Sequence, residues 1–361
     1  MRAEFWRGKR VFVTGHTGFK GSWLSLWLQG MGAKVAGYAL EPQTDPNLFT
    51  LARVGEGMES TIGDVRDLAA LRACMERFRP EIVFHLAAQS VVRLSYEEPV
   101  QTYATNVMGT THLLESVRHC ADVRAVVVVT GDKCYENHEW EWGYRENEPM
   151  GGHDPYSSSK GCSELITAAY RASFFHSAAP GKHRAAVASV RAGNVIGGGD
   201  WTRDRLIPDI MRSIADGRAV AIRNPDAVRP WQHVLEPLGG YLELAQHLWS
   251  DGAKFAEAWN FGPAYADCRP VRWIVERLAE EWGESAAWEI DKRSQPHEAH
   301  FLRLDSSKAA MRLGWQPRWN LRRALHAIVA WHRAHLSSAD MRSLVLDQVR
   351  EYESTDPESL A

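Results

Sequence analysis

The first half of the chain alternates short β-branched runs with longer stretches whose apolar positions recur at helical spacing. Arg10-Val11-Phe12-Val13-Thr14 reads as a buried strand, and Ser22 to Met31 as the helix that follows it, with Trp23 and Trp27 on one face. Further strands are predicted at Ala33 to Leu40, Met58 to Ile62, Glu81 to Phe84, Arg124 to Thr130 and Ala185 to Arg191. The unbroken Val126-Val127-Val128-Val129 marks a strand buried on both faces, as in the middle of a parallel sheet. Helices are predicted near 67–78, 97–119 and 156–177. This alternation implies an α/β protein with a Rossmann-type, doubly wound parallel sheet and right-handed crossovers.

Beyond Asn194 the pattern changes. Gly197-Gly198-Gly199-Asp200 breaks the chain, and loops rich in Pro, Trp and Arg separate helical patterns near 204–217, 235–249, 270–283 and 321–336. Residues 1–193 are expected to form the sheet domain, with 232–260 returning to it. Residues 194–231 and 261–335 are expected to form a smaller mixed α/β C-terminal lobe over the carboxyl edge of the sheet. The polar stretch 351–361 is expected to be a frayed tail.

Composition narrows the partners. Forty-two Lys and Arg against 45 Asp and Glu leave a formal charge of -3, which offers no electrostatic case for nucleic acid or an anionic membrane. An anionic ligand must then be held by local basic groups. No stretch approaches 18 apolar residues, so no membrane partner is expected. The five cysteines, Cys74, Cys120, Cys134, Cys162 and Cys268, show no C-x-x-C spacing, and no metal site is expected. An odd cysteine count and an N-terminus without a long apolar run point to the cytoplasm.

Gly15-His16-Thr17-Gly18-Phe19-Lys20-Gly21 joins the first strand to the first helix, the context in which a glycine loop and a helix N-terminus receive a pyrophosphate. Glu41, twenty positions beyond Gly21, suits the 2′-hydroxyl of an adenosine ribose, or is a solvated loop carboxylate. No Lys or Arg lies between Ala39 and Thr50 to neutralise a 2′-phosphate, which favours NAD over NADP. His16 and Lys20 are unusual cations for such a loop, able to touch the pyrophosphate or blur that preference. Asp64 and Val65 follow the third strand and suit the adenine; Asp64 or Asp67 is equally placed to cap the next helix.

Tyr156 and Lys160 form Y-x-x-x-K, a spacing that puts phenol and ammonium on one helix face. A phenol with a pKa of about 10 is a poor base near neutrality. A nearby ammonium stabilises the phenolate, so that Tyr156 can take a hydroxyl proton, and Lys160 can also hold the nicotinamide ribose. Asp132 and Lys133 stand side by side at the carboxyl end of the valine-rich strand, the edge where open α/β sheets bind ligands. An acid and a base there suit a proton transfer beyond simple oxidation.

These pieces resemble the extended short-chain dehydrogenase/reductase (NAD-dependent epimerase/dehydratase) family. Asn106, Tyr156, Lys160 and the run Arg191 to Gly197 fit its pattern. Within it the similarity is to the CDP-glucose 4,6-dehydratases, carried by GHTGFKGSWLSLWL (Gly15 to Leu28), HLAAQS (His85 to Ser90), DKCYENHEW (Asp132 to Trp140), GGDWTRDRLIPD (Gly198 to Asp209) and RNPDAVRPWQHVLEPL (Arg223 to Leu238), and running to about Trp319. The resemblance implies a hydro-lyase in which tightly held NAD takes hydride from sugar C4, water is lost across C5 and C6, and the same hydride returns to C6. It implies CDP-glucose as substrate and CDP-4-dehydro-6-deoxyglucose, a precursor of deoxysugars in surface polysaccharides, as product. It implies a homodimer or a dimer of dimers. Tyr156 becomes the base at C4, Asp132 the acid for the departing C6 hydroxyl, and Lys133 the group near C5, where relatives acting on other nucleotides carry Glu. Leu86, Ala87 and Ala88 are expected against the cofactor, and Gln89, Ser90, Asn194 and Leu206 against the substrate.

One position departs from the pattern: the residue before Asp132 is usually Ser or Thr, bonding the C4 hydroxyl, and here it is Gly131. For the substrate diphosphate, Arg205, Arg223 and Arg229 are candidates, with Arg229 favoured; His297 and Glu298 are candidates for the nucleotide. Trp201 and Trp231 suit a packed core better than a stacking role. Two alternatives share the fold: a nucleotide-sugar epimerase or reductase, against which the Asp132-Lys133 pair argues, and a catalytically weakened binding module, which Gly131 suggests.

Overall fold

A computed structural model describes residues 3–175, 184–283, 288–291 and 301–356. Seven parallel strands form the central sheet: β1 (Arg10–Thr14), β2 (Lys34–Ala39), β3 (Glu59–Ile62), β4 (Ile82–His85), β5 (Ala125–Val129), β6 (Ala186–Ala192) and β7 (Ala258–Phe261). Their order is β7-β6-β5-β4-β1-β2-β3, so the strand order reverses beside β1, the switch point at which such sheets bind ligands. The register pairs Val13 with Gly37 on one side and with Phe84 on the other.

Side-chain alternation along the strands builds two cores. Val11, Val13, Ala125 and Val127 face one cluster, which holds Trp23 and Trp27 of the helix Phe19–Gly30 and Leu238 and Leu242 of the helix Leu235–Phe255. Phe12, Val126 and Val128 face the other, with Leu71, Leu113 and Val117 from the helices Leu68–Phe78 and Gly109–Arg118. A third cluster gathers Ile207, Ile210, Ile222, Leu278 and Ile328 from the second half of the chain. Short strand pairs accompany it, Val228–Pro230 with Cys268–Pro270 and Val220–Ile222 with Trp288–Ile290.

Two expectations need correction, and one strand is not foreseen. The segment 97–119 is not one helix. It divides into Val92–Glu97, Pro99–Tyr103, a π-turn over Ala104–Met108 and Gly109–Arg118, because Glu98 is non-helical and Pro99 starts a new helix. The seventh strand, only Ala258–Phe261, carries too few residues to show a period. The tail does not fray from Glu351: Met341–Ser354 is a helix capped by Asp340, and Met341, Val345, Val349 and Tyr352 form its buried stripe. Tyr352 meets Trp27 edge-on, and the Trp27 indole N–H donates to Glu353 at 2.8 Å, tying this helix to the one that follows the glycine loop.

Candidate functional site

A cleft of about 1720 Å³ opens along the carboxyl edge of the sheet. Single small-molecule sites occupy roughly 300–1,000 Å³, so this one has room for a dinucleotide and a second ligand. Its floor is the glycine loop. A Cβ on Gly15, at φ +76°, would lie 2.8 Å from the Ala87 nitrogen, and one on Gly21 would lie 2.0 Å from the Gly15 carbonyl oxygen. Those two glycines let the turn fold tightly. Gly18 is exposed and caps the helix Phe19–Gly30 without a side-chain bond, leaving the helix N–H groups open to the cleft. Thr17 donates to the Leu40 carbonyl at 2.8 Å and fastens the loop to the end of β2.

Gly15, Thr17, Gly18, Phe19, Lys20, Gly21, Glu41, Asp64, Val65, Leu86, Ala87, Ala88, Gln89, Ser90, Tyr156, Lys160 and Arg205 all lie on the cleft wall. Both Asp64 carboxylate oxygens are engaged by Arg66, whose hydrogen bond draws the acid below its usual range against the effect of burial. Asp67 is the residue that caps the following helix, accepting from the Ala70 N–H. His16 leaves the pyrophosphate side altogether. Its ring is fully buried against Gly37, Nε2 lies 2.7 Å from Ser60 Oγ, and burial lowers its pKa to about 4, so it is neutral. Lys20 does face the cleft, and burial, with Arg205 and Lys160 nearby, lowers it to about 7 against the pull of Asp132 and Asp200.

The helix Pro155–Ser173 begins under an Asp154 cap, with Pro155 in its first turn. Tyr156 donates its backbone N–H to Ser95 Oγ at 3.2 Å. Lys160 Nζ lies 5.8 Å from the Tyr156 ring centroid, and burial lowers its pKa to about 8. Burial raises the Tyr156 phenol, and the chief charge opposing this is Arg205. Arg205 thus joins Lys160 as a cation on the Tyr156 side of the cleft. Asn106, in the π-turn, accepts from the Gln89 N–H at 2.8 Å and donates to the Gln89 carbonyl and to Ser159 Oγ, so it binds the turn after β4 to the Tyr156 helix.

Asp132 and Lys133 lie in a short 3-10 turn (Asp132–Cys134) just past β5. Asp132 is buried, its Oδ2 has no hydrogen-bond partner, and burial raises its pKa against Lys133, Arg229 and Lys20. Gly131 adopts φ +146° and ψ 168°. A Cβ there would meet only the Tyr156 hydroxyl oxygen, at 4.0 Å.

The substrate candidates separate. Arg205 reaches Ser90 Oγ at 2.8 Å and Asp200 at 3.2 Å, bridging the turn after β4 to the second half of the chain. Arg223 pairs with Asp204 and Arg229 is buried in the strand Val228–Pro230; neither lines the cleft. Asn194 is also off the wall, its carbonyl accepting from the Gln232 N–H, and the Leu206 side chain packs against the third hydrophobic cluster. His297 and Glu298 lie outside the described residues. Trp231 is buried, and Trp201, which does line the cleft, packs on Trp331. Sequence reasoning missed Arg93, which lines the cleft and pairs with Asp204 at 3.3 Å, and Asp200, which holds Arg205. The spacing of Arg93 three residues after Ser90 was the available signal. Among the described residues, no cluster of His, Cys, Asp or Glu is arranged to hold a metal, and no helix is long and apolar enough to cross a membrane.

Comparison with known proteins decides the family. The family model described as GDP-mannose 4,6 dehydratase matches residues 12–328. The CDP-glucose 4,6-dehydratase of Salmonella typhimurium (strain LT2) is 59% identical over 351 residues, 97% of this chain and 98% of that one. The chain belongs to the nucleotide-sugar 4,6-dehydratase family. A dTDP-glucose 4,6-dehydratase of Streptomyces griseus is a more distant member, 28% identical over 91% of this chain and 95% of its own. Among solved structures, the NAD complex of a Bacillus anthracis dTDP-glucose 4,6-dehydratase superposes with a TM-score of 0.76 at 20% identity, covering 93% of this chain and all of that one. The UDP-glucose 4-epimerase of Thermotoga maritima superposes at 0.77 and 21% identity, covering 91% of this dehydratase-family chain and 99% of its own. These last two likenesses concern the fold.

Proposed function

We propose that this protein dehydrates CDP-glucose to CDP-4-dehydro-6-deoxyglucose with NAD as a regenerated cofactor. The observation that carries the reading is the 59% identity to a CDP-glucose 4,6-dehydratase over nearly both full lengths. The cleft fits NAD. Gly18 and the uncapped helix N-terminus suit the pyrophosphate, Glu41 suits the ribose hydroxyls, Val65 suits the adenine, and Lys160 suits the nicotinamide ribose. Glu41 would repel a 2′-phosphate, so NAD is expected to bind more tightly than NADP.

When bound, NAD supplies the acceptor for the C4 hydride and its donor to C6. Tyr156 takes the proton of the C4 hydroxyl as that hydride leaves, and Arg205 favours the phenolate. The 4-keto group acidifies the C5 proton, for which Lys133, in the turn next to Thr130 of the cleft wall, is the candidate acceptor. Asp132, whose pKa burial raises, is the candidate to give a proton to the C6 hydroxyl, which departs as water. Restoring a proton at C5 completes the 6-deoxy product. Arg205, with Arg93 beside it, is the group on the wall suited to the diphosphate.

A second copy is expected to cover the exposed apolar side chains Val100, Tyr103 and Met108, together with Leu165 of the Tyr156 helix and Phe174 just past its end. This supports a homodimer or a dimer of dimers, which sedimentation analysis would resolve. The reading is tested by supplying CDP-, UDP-, GDP- and dTDP-glucose in turn with NAD. Formation of an alkali-absorbing 4-keto product from CDP-glucose above the others is expected; an epimer, or turnover with another nucleotide alone, would replace it.

A further inference from the structure

Behind the Asp132-Lys133 turn lies a buried ion pair that none of the steps above uses. Glu164 and Arg191 are 4% and 3% exposed and meet side-on, Arg191 Nε to Oε1 and Nη2 to Oε2, each at 2.9 Å. Glu164 stands one turn beyond Lys160 on the same helix. Both its oxygens are fully engaged: Oε1 also takes the Thr130 hydroxyl, and Oε2 takes Ser189 Oγ at 2.7 Å. Arg191 sends its remaining nitrogen, Nη1, to the Tyr135 hydroxyl at 2.6 Å and to the Glu146 carbonyl at 3.1 Å. The Tyr135 hydroxyl donates onward to Asn260 Oδ1 at 2.8 Å.

The positions of these contacts carry the argument. Thr130 immediately precedes, and Tyr135 immediately follows, the segment Gly131–Cys134 that bears Asp132 and Lys133. Gly131 gives that segment a joint with no side chain of its own to fix it. One ion pair therefore grips both ends of the turn and ties them to the helix of Tyr156 and Lys160. Buried ion pairs are weak sources of stability, since well-packed apolar groups commonly do as well, so what this one contributes is orientation.

We propose that Glu164 and Arg191 are positioning residues that hold the Asp132-Lys133 turn in register with Tyr156 and Lys160, so that elimination follows C4 oxidation at the same site. The proposal rests on the dehydratase reading for its chemistry, but the clamp itself is a statement about the turn. Elimination, which uses Asp132 and Lys133, depends on the clamp; hydride removal, which uses Tyr156, depends on it far less. Misplacing a reacting group by about 1 Å costs up to about 100-fold in rate.

The test uses Thr130→Val, Tyr135→Phe and the conservative Thr130→Ser in the full-length protein, since Glu164 and Arg191 variants leave a buried charge unpaired and risk failing to fold. Amide hydrogen exchange across 130–135 is read without substrate. A single turnover of CDP-glucose with NAD is then followed by nicotinamide absorbance and product formation. Thr130→Val and Tyr135→Phe are expected to speed exchange in the turn while the β-sheet is unchanged. They are also expected to slow elimination at least about tenfold relative to hydride removal, so that reduced nicotinamide persists. Thr130→Ser is expected to match wild type in both. Unchanged exchange in Thr130→Val and Tyr135→Phe, or equal slowing of both chemical steps, would overturn the clamp. If wild type forms no 4-keto product from CDP-glucose, the functional reading fails, and the exchange data still decide the clamp.

Discussion

Replacing Gly131 with Ser would supply the hydroxyl that the family resemblance leads one to expect before Asp132, and the sequence suggests a gain. The structure predicts a loss. Gly131 sits at φ +146° and ψ 168°, a region occupied almost only by glycine, where another residue costs about 1–3 kcal/mol. Space is not the obstacle, because an added Cβ would find only the Tyr156 hydroxyl oxygen, 4.0 Å away. Against that strain, a new hydrogen bond contributes about 0.5–1.5 kcal/mol. The balance is unfavourable by about 1 kcal/mol, so Gly131→Ser should unfold at a lower temperature and turn over several-fold more slowly. Gly131→Ala carries the same strain without the hydroxyl, and the difference between the two variants isolates what the hydroxyl does. Thermal unfolding and steady-state dehydration of all three proteins would measure this. A Gly131→Ser enzyme that is faster than wild type with an unchanged melting temperature would refute the reasoning and show that the turn relaxes freely.

Other outcomes follow from the same geometry. Tyr156→Phe removes one hydroxyl and little volume, so it should fold normally while C4 oxidation, followed as nicotinamide reduction, falls at least about 100-fold; near-normal reduction would mean the base lies elsewhere. Asp132→Asn should oxidise C4 but stall before water loss, accumulating reduced nicotinamide with bound sugar, and a wild-type rate of product formation would remove Asp132 from the elimination step. Glu236, buried among the Arg318 and Trp319 N–H groups and the Tyr352 hydroxyl, has its pKa raised by burial from 4.5 to about 7. A raised carboxyl favours the folded state below its ordinary value, and that advantage is lost as pH rises through about 7. Glu236→Gln, neutral throughout, should therefore gain on wild type in unfolding free energy between about pH 5 and about pH 8, by up to about 3 kcal/mol; parallel stability-versus-pH curves would contradict this.

The sequence made the sheet legible where the residues themselves carry the signal. The valine run reads as a central strand, and Gly15 to Gly21 as the loop between a strand and a helix, and both are found. Glycine-loop and Y-x-x-x-K side chains meet in one cleft because both segments follow strands at the same edge of the sheet. What escaped depends on partners distant in the chain. The last helix reads as polar because its buried stripe, ending in Tyr352, has meaning only against Trp27. Arg205 opposes the rise of the Tyr156 phenol, an effect of which side of the cleft the guanidinium occupies once Asp200 and Ser90 hold it. His16 faces inward because Gly37 on the neighbouring strand leaves room for its ring, which no local motif reveals. Arg223 and Arg229 look alike in sequence to Arg205, yet only Arg205 lines the cleft.

The central claim is an oxidation, a loss of water and a return of the same hydride within one site. CDP-glucose carrying deuterium at C4, incubated with the protein and a catalytic quantity of NAD, tests it directly by mass spectrometry and NMR of the product. The account predicts a 4-keto sugar nucleotide lighter by one water, with the deuterium at C6 and no net reduction of NAD. A product of unchanged mass with deuterium still at C4, deuterium lost to reduced nicotinamide in solution, or no reaction at all would contradict it.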